Sequence, residues 1–518
     1  MLLETRNTIG YVSVGLLWIL IVSGFMEMLL FPGWDNLVGV IVSIASFLLY
    51  RAYVFKLGII RKRPMSFVAF SLLILFMYLP LPVTLIDGNE MSHHLLNPIT
   101  TYLLQFLYFV CCIIAFNLAD RYRKSFRGFS KLLIRLGFYT TPSVAQLWIL
   151  GGIGWFFKLI LLSTQYSGDG FNQAGRGTLS AFSILICAPL LIYFYPLFFG
   201  KTIRKAQKII VVLYMVGMMI LLVSTNSRNQ VVLPLITFLL LYLISLFYKR
   251  NISISKSKLI FSLLIAFFVV GPLSDMAFAM LVARAQRQNT KFTSLLEKTF
   301  EVYNDKEKLY KLKSIAEQKI ADSKTTQTSD WDEYYVSSVF LGRVCNYRVI
   351  DSSIFHAQRA GMPNGEMTDY FFSSLKIMFP QPIVDFLFGH IDKAKYAFSP
   401  QDKLLAVSRN NPVFKGYTVG GDVGLNLAFL GFFAFPLTIV VYFLEFVLSD
   451  LMSYRRHGKT YFSFIPLLSI YFTYFLRFQV SGGILSHISY LVWGVPFTLM
   501  MTILICYFIK FVVPDSNK

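Results

Sequence analysis

Along this 518-residue chain long apolar runs alternate with short connections, and the connections fall into two sets, one rich in lysine and arginine and one almost free of both. The poor set nevertheless carries three arginines, in a connection or at its edge: Gly175-Arg176-Gly177, Thr225-Asn226-Ser227-Arg228-Asn229 and Phe475-Leu476-Arg477-Phe478. A planar, permanently charged guanidinium at a membrane boundary suits a phosphate or diphosphate, which it grips with two parallel hydrogen bonds. Any one of the three also has an ordinary use, pairing with lipid phosphate or a helix-end carbonyl; three together favour an anionic site. Gly175 and Gly177 let backbone amides approach an anion. Lys158 stands inside an apolar run, where a charge needs a partner or a water-filled cavity, and the expected solution is that it snorkels to the outer interface.

Further candidates lie in a polar stretch of roughly 135 residues between Ala283 and Gly420. Arg343, Arg348 and Arg359 fall on one expected helix, with Asp351 placed to pair locally with Arg348. Arg343 and Arg348 would be about 140° apart on that helix, so both face one small ligand only if it bends. His356, His390, Asp351, Glu366 and Asp422 are candidate bases; no pair has a diagnostic spacing, and each alone is more often a solvated or packing residue. Trp331, Tyr334 and Tyr335 can stack on sugar faces, and are equally ordinary interfacial anchors. The zinc-protease, nucleophile-elbow, phosphate-loop and dinucleotide patterns are absent, so neither metal nor nucleotide chemistry is indicated.

The elements that must position these residues follow from composition. The chain is 56% hydrophobic, 17% aromatic and 14% charged, which describes an all-α polytopic membrane protein. Its net charge of +21 sits in short segments between apolar runs, which is a topology signal and not a nucleic-acid surface. Four of the five cysteines lie within apolar runs and only Cys345 is in the long stretch, so neither a disulfide framework nor a zinc site is expected. The first run is too long, and lacks the small-residue end, of a cleaved signal peptide.

About twelve runs can cross the bilayer as helices, near 10–31, 37–56, 66–86, 99–119, 143–164, 179–199, 208–224, 230–248, 259–282, 421–447, 461–478 and 488–512. Every even-numbered run before the last ends in a basic connection, for example Arg61-Lys62-Arg63 and Arg455-Arg456. The positive-inside rule then puts both termini in the cytoplasm and the long stretch outside. This divides the chain into residues 1–282 with nine spans, 283–420 as one large, mostly helical external loop, and 421–518 with three spans. Glu27, Lys158 and Glu445 are the charges within spans, the last two expected near interfaces. In the loop, Leu309, Leu312, Ile315, Ala316 and Ile320 among lysines predict a basic amphipathic helix on the lipid surface. A second helix is expected from Ser329 to Arg359, broken by Pro363, and a third from Glu366 to Met378.

This arrangement resembles the O-antigen polymerase (Wzy-type) family of bacterial polysaccharide synthesis. The likeness covers about twelve spans, a large external loop in the second half, and arginine-bearing external connections. Ser224-Thr-Asn-Ser-Arg228 is similar to the family's Ser-Arg segment, Lys376-Ile-Met-Phe-Pro380 to its late apolar-Pro element, and Asp422-Val-Gly-Leu-Asn-Leu-Ala-Phe-Leu-Gly431 to its acidic entry into the next span, with aspartate where the family has glutamate. The resemblance implies a cofactor-free, metal-free glycosyltransferase of the bacterial inner membrane, acting at its periplasmic face on undecaprenyl-diphosphate-linked oligosaccharide. A chain-length regulator protein is an implied partner. Arg228, Arg176 and Asp422 would be catalytic, with Arg477, Arg343, Arg348, Arg359, His356 and Tyr335 binding substrate. An O-antigen ligase and a lipid-linked oligosaccharide flippase are the alternatives.

Overall fold

A backbone in hydrocarbon must satisfy its own hydrogen bonds, so apolar runs of this length become helices. The computed structural model describes the chain except residues 1, 123–126, 167–178, 224–227, 249–250, 254–270, 285–291, 313, 315–334, 337, 339–340, 380, 397, 412–417, 457–458, 477–481 and 513–518. About 81% of it is helical; the sheet among the described residues is two short pairs, Leu2–Glu4 with Asn251–Ser253 and Ser453–Arg456 with Lys459–Phe462.

Among the described residues eight helices are long and apolar enough to cross a membrane: Asn7–Leu30, Trp34–Tyr53, Pro98–Tyr122, Val144–Leu162, Lys205–Val223, Gln230–Tyr248, Asp422–Asp450 and Ile484–Val512. A ninth arises if Pro64–Tyr78 and Pro80–Ile86, bent by 48° at their junction, count as one; Pro80 lacks the N–H that would carry the helix through. The twelve expected runs are not all continuous spans. The sixth is a shorter helix, Leu179–Tyr193, tightened at Ile184–Cys187 just before Pro189. The eleventh is the short helix Phe464–Leu468 followed by a wider π-helical turn at Ile470–Phe475. Much of the ninth lies outside the described residues.

The connections sort by contact as they do by charge. Lys62 pairs with Asp120 at 2.6 Å, Arg61 donates to Phe247 O at 2.6 Å, Arg63 pairs with Asp450, and the Tyr139 hydroxyl donates to Leu451 O. These are the basic connections, gathered together. The other set meets separately: Met91 N donates to Glu27 at 2.7 Å, and Asn36 to Glu90 at 3.1 Å.

The long loop is not simply a water-facing lid, as its polarity suggested. Its helix Tyr347–Ala360, capped by the Asn346 side chain accepting from Val349 N, has ten of fourteen residues buried. This helix starts at Tyr347, later than expected, and Arg343 belongs to a separate turn, Leu341–Arg343, so the angle expected between Arg343 and Arg348 on one helix does not apply. Asp351, on the buried face, accepts from Leu96 N at 2.6 Å, Asn97 N at 2.9 Å and the Thr101 hydroxyl at 2.8 Å, fixing the chain where it enters the Pro98–Tyr122 span. Burial pushes the Asp351 carboxyl above its usual range, while these donors and Arg348 pull it down. In the expected amphipathic helix, Leu309 and Leu312 pack on Phe278 and Val302, so the described part of its apolar face covers protein; residues 313 and 315–334 lie outside the described set.

Asp422–Asp450 does not run straight. Asp422 and Glu445 both lie against the imidazole of His487, at 3.7 and 3.0 Å, whereas the 23 intervening steps of a straight helix would hold their backbones roughly 35 Å apart. The chain therefore folds back after the half-helix Asp422–Leu430, at Gly431, whose φ of +59° is a left-handed conformation open to glycine. The half-helix packs directly on the loop helix: a Cβ on Gly424 would meet the Ser353 carbonyl carbon at 2.2 Å. Eight of the nine residues of this half-helix are buried, so its polar groups are covered by protein.

Candidate functional site

Lys158 is the organising residue of a cavity of about 420 Å³. It sits 14 residues into the helix Val144–Tyr166, is 7% exposed and donates to the Gln230 side chain at 3.0 Å. This corrects the expectation that it snorkels to the interface: the ammonium is held inward. Among the described residues no carboxylate pairs with it. A buried amine is costly to leave unpaired, and Lys158 offers a charged hydrogen-bond donor to an anion in the cavity. Ser180, Ser183, Ser469, Thr473 and Thr498 add hydroxyls to the lining, and Ile184, Leu233, Ile465, Phe497 and Met501 make its apolar part. The cavity is thus amphipathic, with one lysine amine among its hydroxyls.

Residues a few positions away from each arginine-bearing segment line this cavity. Ser180 follows Arg176 by four residues, Leu222 and Gln230 bracket Arg228, and Thr473 precedes Arg477 by four; each lines the cavity. Arg176 and Arg477 lie outside the described residues, as does the side chain of Arg228, whose backbone opens the helix Arg228–Tyr248. The long-range convergence of these segments comes from the fold: Gly154 brings the helix Val144–Tyr166 so close to the Ile184–Cys187 turn that a Cβ there would lie 2.0 Å from Ile186 N.

Asp422 belongs to a second constellation. Its carboxylate accepts from Gly483 N at 2.9 Å and from the Tyr108 hydroxyl at 3.3 Å. Tyr108 and Tyr442 are hydroxyl to hydroxyl, the Tyr442 hydroxyl meets His487 Nε2 at 3.1 Å, and His487 Nδ1 meets Glu445 at 3.0 Å. All five side chains are buried. Tyr108 is ten residues into the helix Pro98–Tyr122 and Tyr442 eight into Ala434–Asp450, roughly 12 to 15 Å along their axes, so the string lies near mid-depth of the bundle. Thr473, which lines the cavity, and Gly483, whose amide donates to Asp422, are ten residues apart in sequence.

The loop candidates divide. Arg348 is buried and donates to His94 O at 2.6 Å, with Asp351 at 3.7 Å, so the local Arg348–Asp351 pair forms. His356 is buried against Ser408 at 2.7 Å, and the buried Tyr335 hydroxyl donates to Met91 O at 2.6 Å. All three make hydrogen bonds within the protein. Arg359 is exposed in the last turn of its helix; the Arg343 side chain lies outside the described residues, as do Trp331 and Tyr334. His390 and Glu366 are exposed and paired with Asp385 and Lys403. His487, Tyr108 and Tyr442 were not singled out by sequence, and Glu445, expected near an interface, is 1% exposed; the available signal was that a histidine and a glutamate stand in or beside apolar runs. No protein-family model matches the chain, and no curated protein or solved structure does.

Proposed function

We propose that the protein is a membrane glycosyltransferase that polymerises undecaprenyl-diphosphate-linked oligosaccharide repeat units at the outer face of a bacterial inner membrane, with both termini cytoplasmic. The observation that carries this reading is the cavity around Lys158, on which the flanks of Arg176, Arg228 and Arg477 converge. A lipid diphosphate has the matching chemistry: a concentrated negative charge joined to an apolar chain. In the reaction, the hydroxyl of one lipid-linked unit attacks the anomeric carbon of the growing glycan, and lipid diphosphate departs. The charge that develops on the leaving group is stabilised by prepositioned cations in a partly dry site, one such donor being worth roughly 3 kcal/mol, about a hundredfold in rate. Asp422 is the base assigned to the attacking hydroxyl.

A second reading, movement of the lipid-linked saccharide across the membrane, has one observation in its favour: a half-helix at depth beside buried ionisable groups is how ion-coupled carriers are built. Surface-glycan profiling by gel in a deletion strain separates the readings. Polymerase activity predicts loss of the long ladder, with a single repeat unit left on its acceptor, and at least about tenfold less ladder when Arg176→Ala, Arg228→Ala or Arg477→Ala replaces the wild type at equal protein level. Long lipid-linked chains would instead mean a ligase, single units retained inside would mean a flippase, and an unchanged profile would refute all three.

A further inference from the structure

The polar string Asp422, Tyr108, Tyr442, His487, Glu445 has two complete hydrogen-bond arrangements. In the first, Tyr108 donates to Asp422, so the contact between the two tyrosines takes its hydrogen from Tyr442, and the contact from Tyr442 to the ring takes its hydrogen from His487 Nε2. The contact of Nδ1 with Glu445 needs a hydrogen as well, so His487 is an imidazolium facing a carboxylate. In the second, both hydroxyls turn round. Protonated Asp422 donates to Tyr108, Tyr108 to Tyr442, and Tyr442 to Nε2 of a neutral His487 whose Nδ1–H still donates to Glu445. The two arrangements contain the same hydrogens and differ by one proton moved between Asp422 and His487, with no heavy atom displaced.

The surroundings suit this use. The groups facing the string are Cys112, one helical turn beyond Tyr108 on the same helix, the amides of Gly482 and Gly483, and Asn426, which accepts from Ile484 N at 2.6 Å; within the string, His487 Nε2 also lies 3.7 Å from Asp422. Burying ionisable groups inside a membrane protein costs several kcal/mol per ion, and apolar packing would brace the same helices as well.

We propose that this string is a proton relay serving Asp422: a proton accepted by its carboxylate passes through the hydroxyls of Tyr108 and Tyr442 to His487, where Glu445 balances the charge. The inference rests on the reading of Asp422 as the base. The acceptor oxygen bonds to the anomeric carbon, the bond from that carbon to the diphosphate oxygen breaks with its electron pair on the diphosphate, and the hydroxyl proton goes to Asp422 and on to His487. It returns by the same route to water when the lipid diphosphate leaves. Tyr108, Tyr442, His487 and Glu445 touch no substrate and are positioning residues.

The test uses the full chain in lipid nanodiscs with ¹⁵N-labelled histidine, the His487 resonance being assigned with His487→Gln. The relay predicts that Asp422→Asn lowers the pH midpoint of His487 by about one unit or more. It also predicts that the conservative Tyr442→Phe reduces chain extension roughly tenfold to a hundredfold and shifts the pH profile, with donor binding unchanged. A His487 resonance indifferent to Asp422→Asn, or a Tyr442→Phe pH profile superimposable on the wild type, overturns it. If the wild type extends no chains, the functional reading fails, and the His487 resonance in Tyr442→Phe decides the relay: a shifted pH midpoint is expected, and an unshifted one overturns it.

Discussion

At the scale of single residues, Lys158 separates structural from functional use of a buried charge. A charge that braces a fold is destabilising to remove, because its partner is left behind; a charge without a counter-ion strains the fold and is relieved by an apolar replacement. Lys158→Met is therefore expected to raise, or leave unchanged, the thermal unfolding temperature of the purified protein while lowering ladder formation at least about tenfold, with Lys158→Arg retaining more of it. Full activity in Lys158→Met would remove the ammonium from the site. The sequence made Lys158 visible as a charge in an apolar run but not the direction it points, because snorkelling and inward hydrogen bonding differ only in what the neighbouring helix offers, and Gln230 is 72 residues away. Arg63 shows the bracing kind: fully buried, it pairs with Asp450 and donates to Phe116 O at 2.6 Å.

At the scale of elements, hydropathy located the helices but not their breaks. Pro80 bends one expected span, and Gly431 turns another back on itself, while the apolar character of the run from 422 to 450 continues through the turn and hides it. The loop helix Tyr347–Ala360 was legible as a helix but not as a buried one, since five of its buried residues, Arg348, Asp351, Ser352, Ser353 and His356, are polar and read as solvent-facing until their partners are known. Its contact with the half-helix depends on Gly424. Gly424→Ala is expected to lower the thermal unfolding temperature markedly, because the added methyl would have to displace the Ser353 backbone and not a movable side-chain end. A melting temperature equal to the wild type would mean that the two helices are not held in this contact.

At the scale of the whole molecule, the described basic connections meet one another and the described connections poor in lysine and arginine meet separately, a segregation that charge alone made visible. What composition could not supply was long-range assembly. The string from Asp422 to Glu445 draws on residues as far apart as Tyr108 and His487, and the cavity on segments near positions 158, 180, 230 and 473; no local pattern links them. The fold gives the molecule an amphipathic cavity lined by Lys158 and a buried acid–imidazole string. A polymerase needs both a place for a departing lipid diphosphate and a destination for a proton. Purified protein in nanodiscs, supplied with a synthetic undecaprenyl-diphosphate-linked repeat unit and followed by mass spectrometry, measures this directly. Products longer by whole repeat units, with one undecaprenyl diphosphate released per bond formed, are expected; unextended units with no diphosphate released, under conditions where the protein is folded and binds the donor, would contradict it.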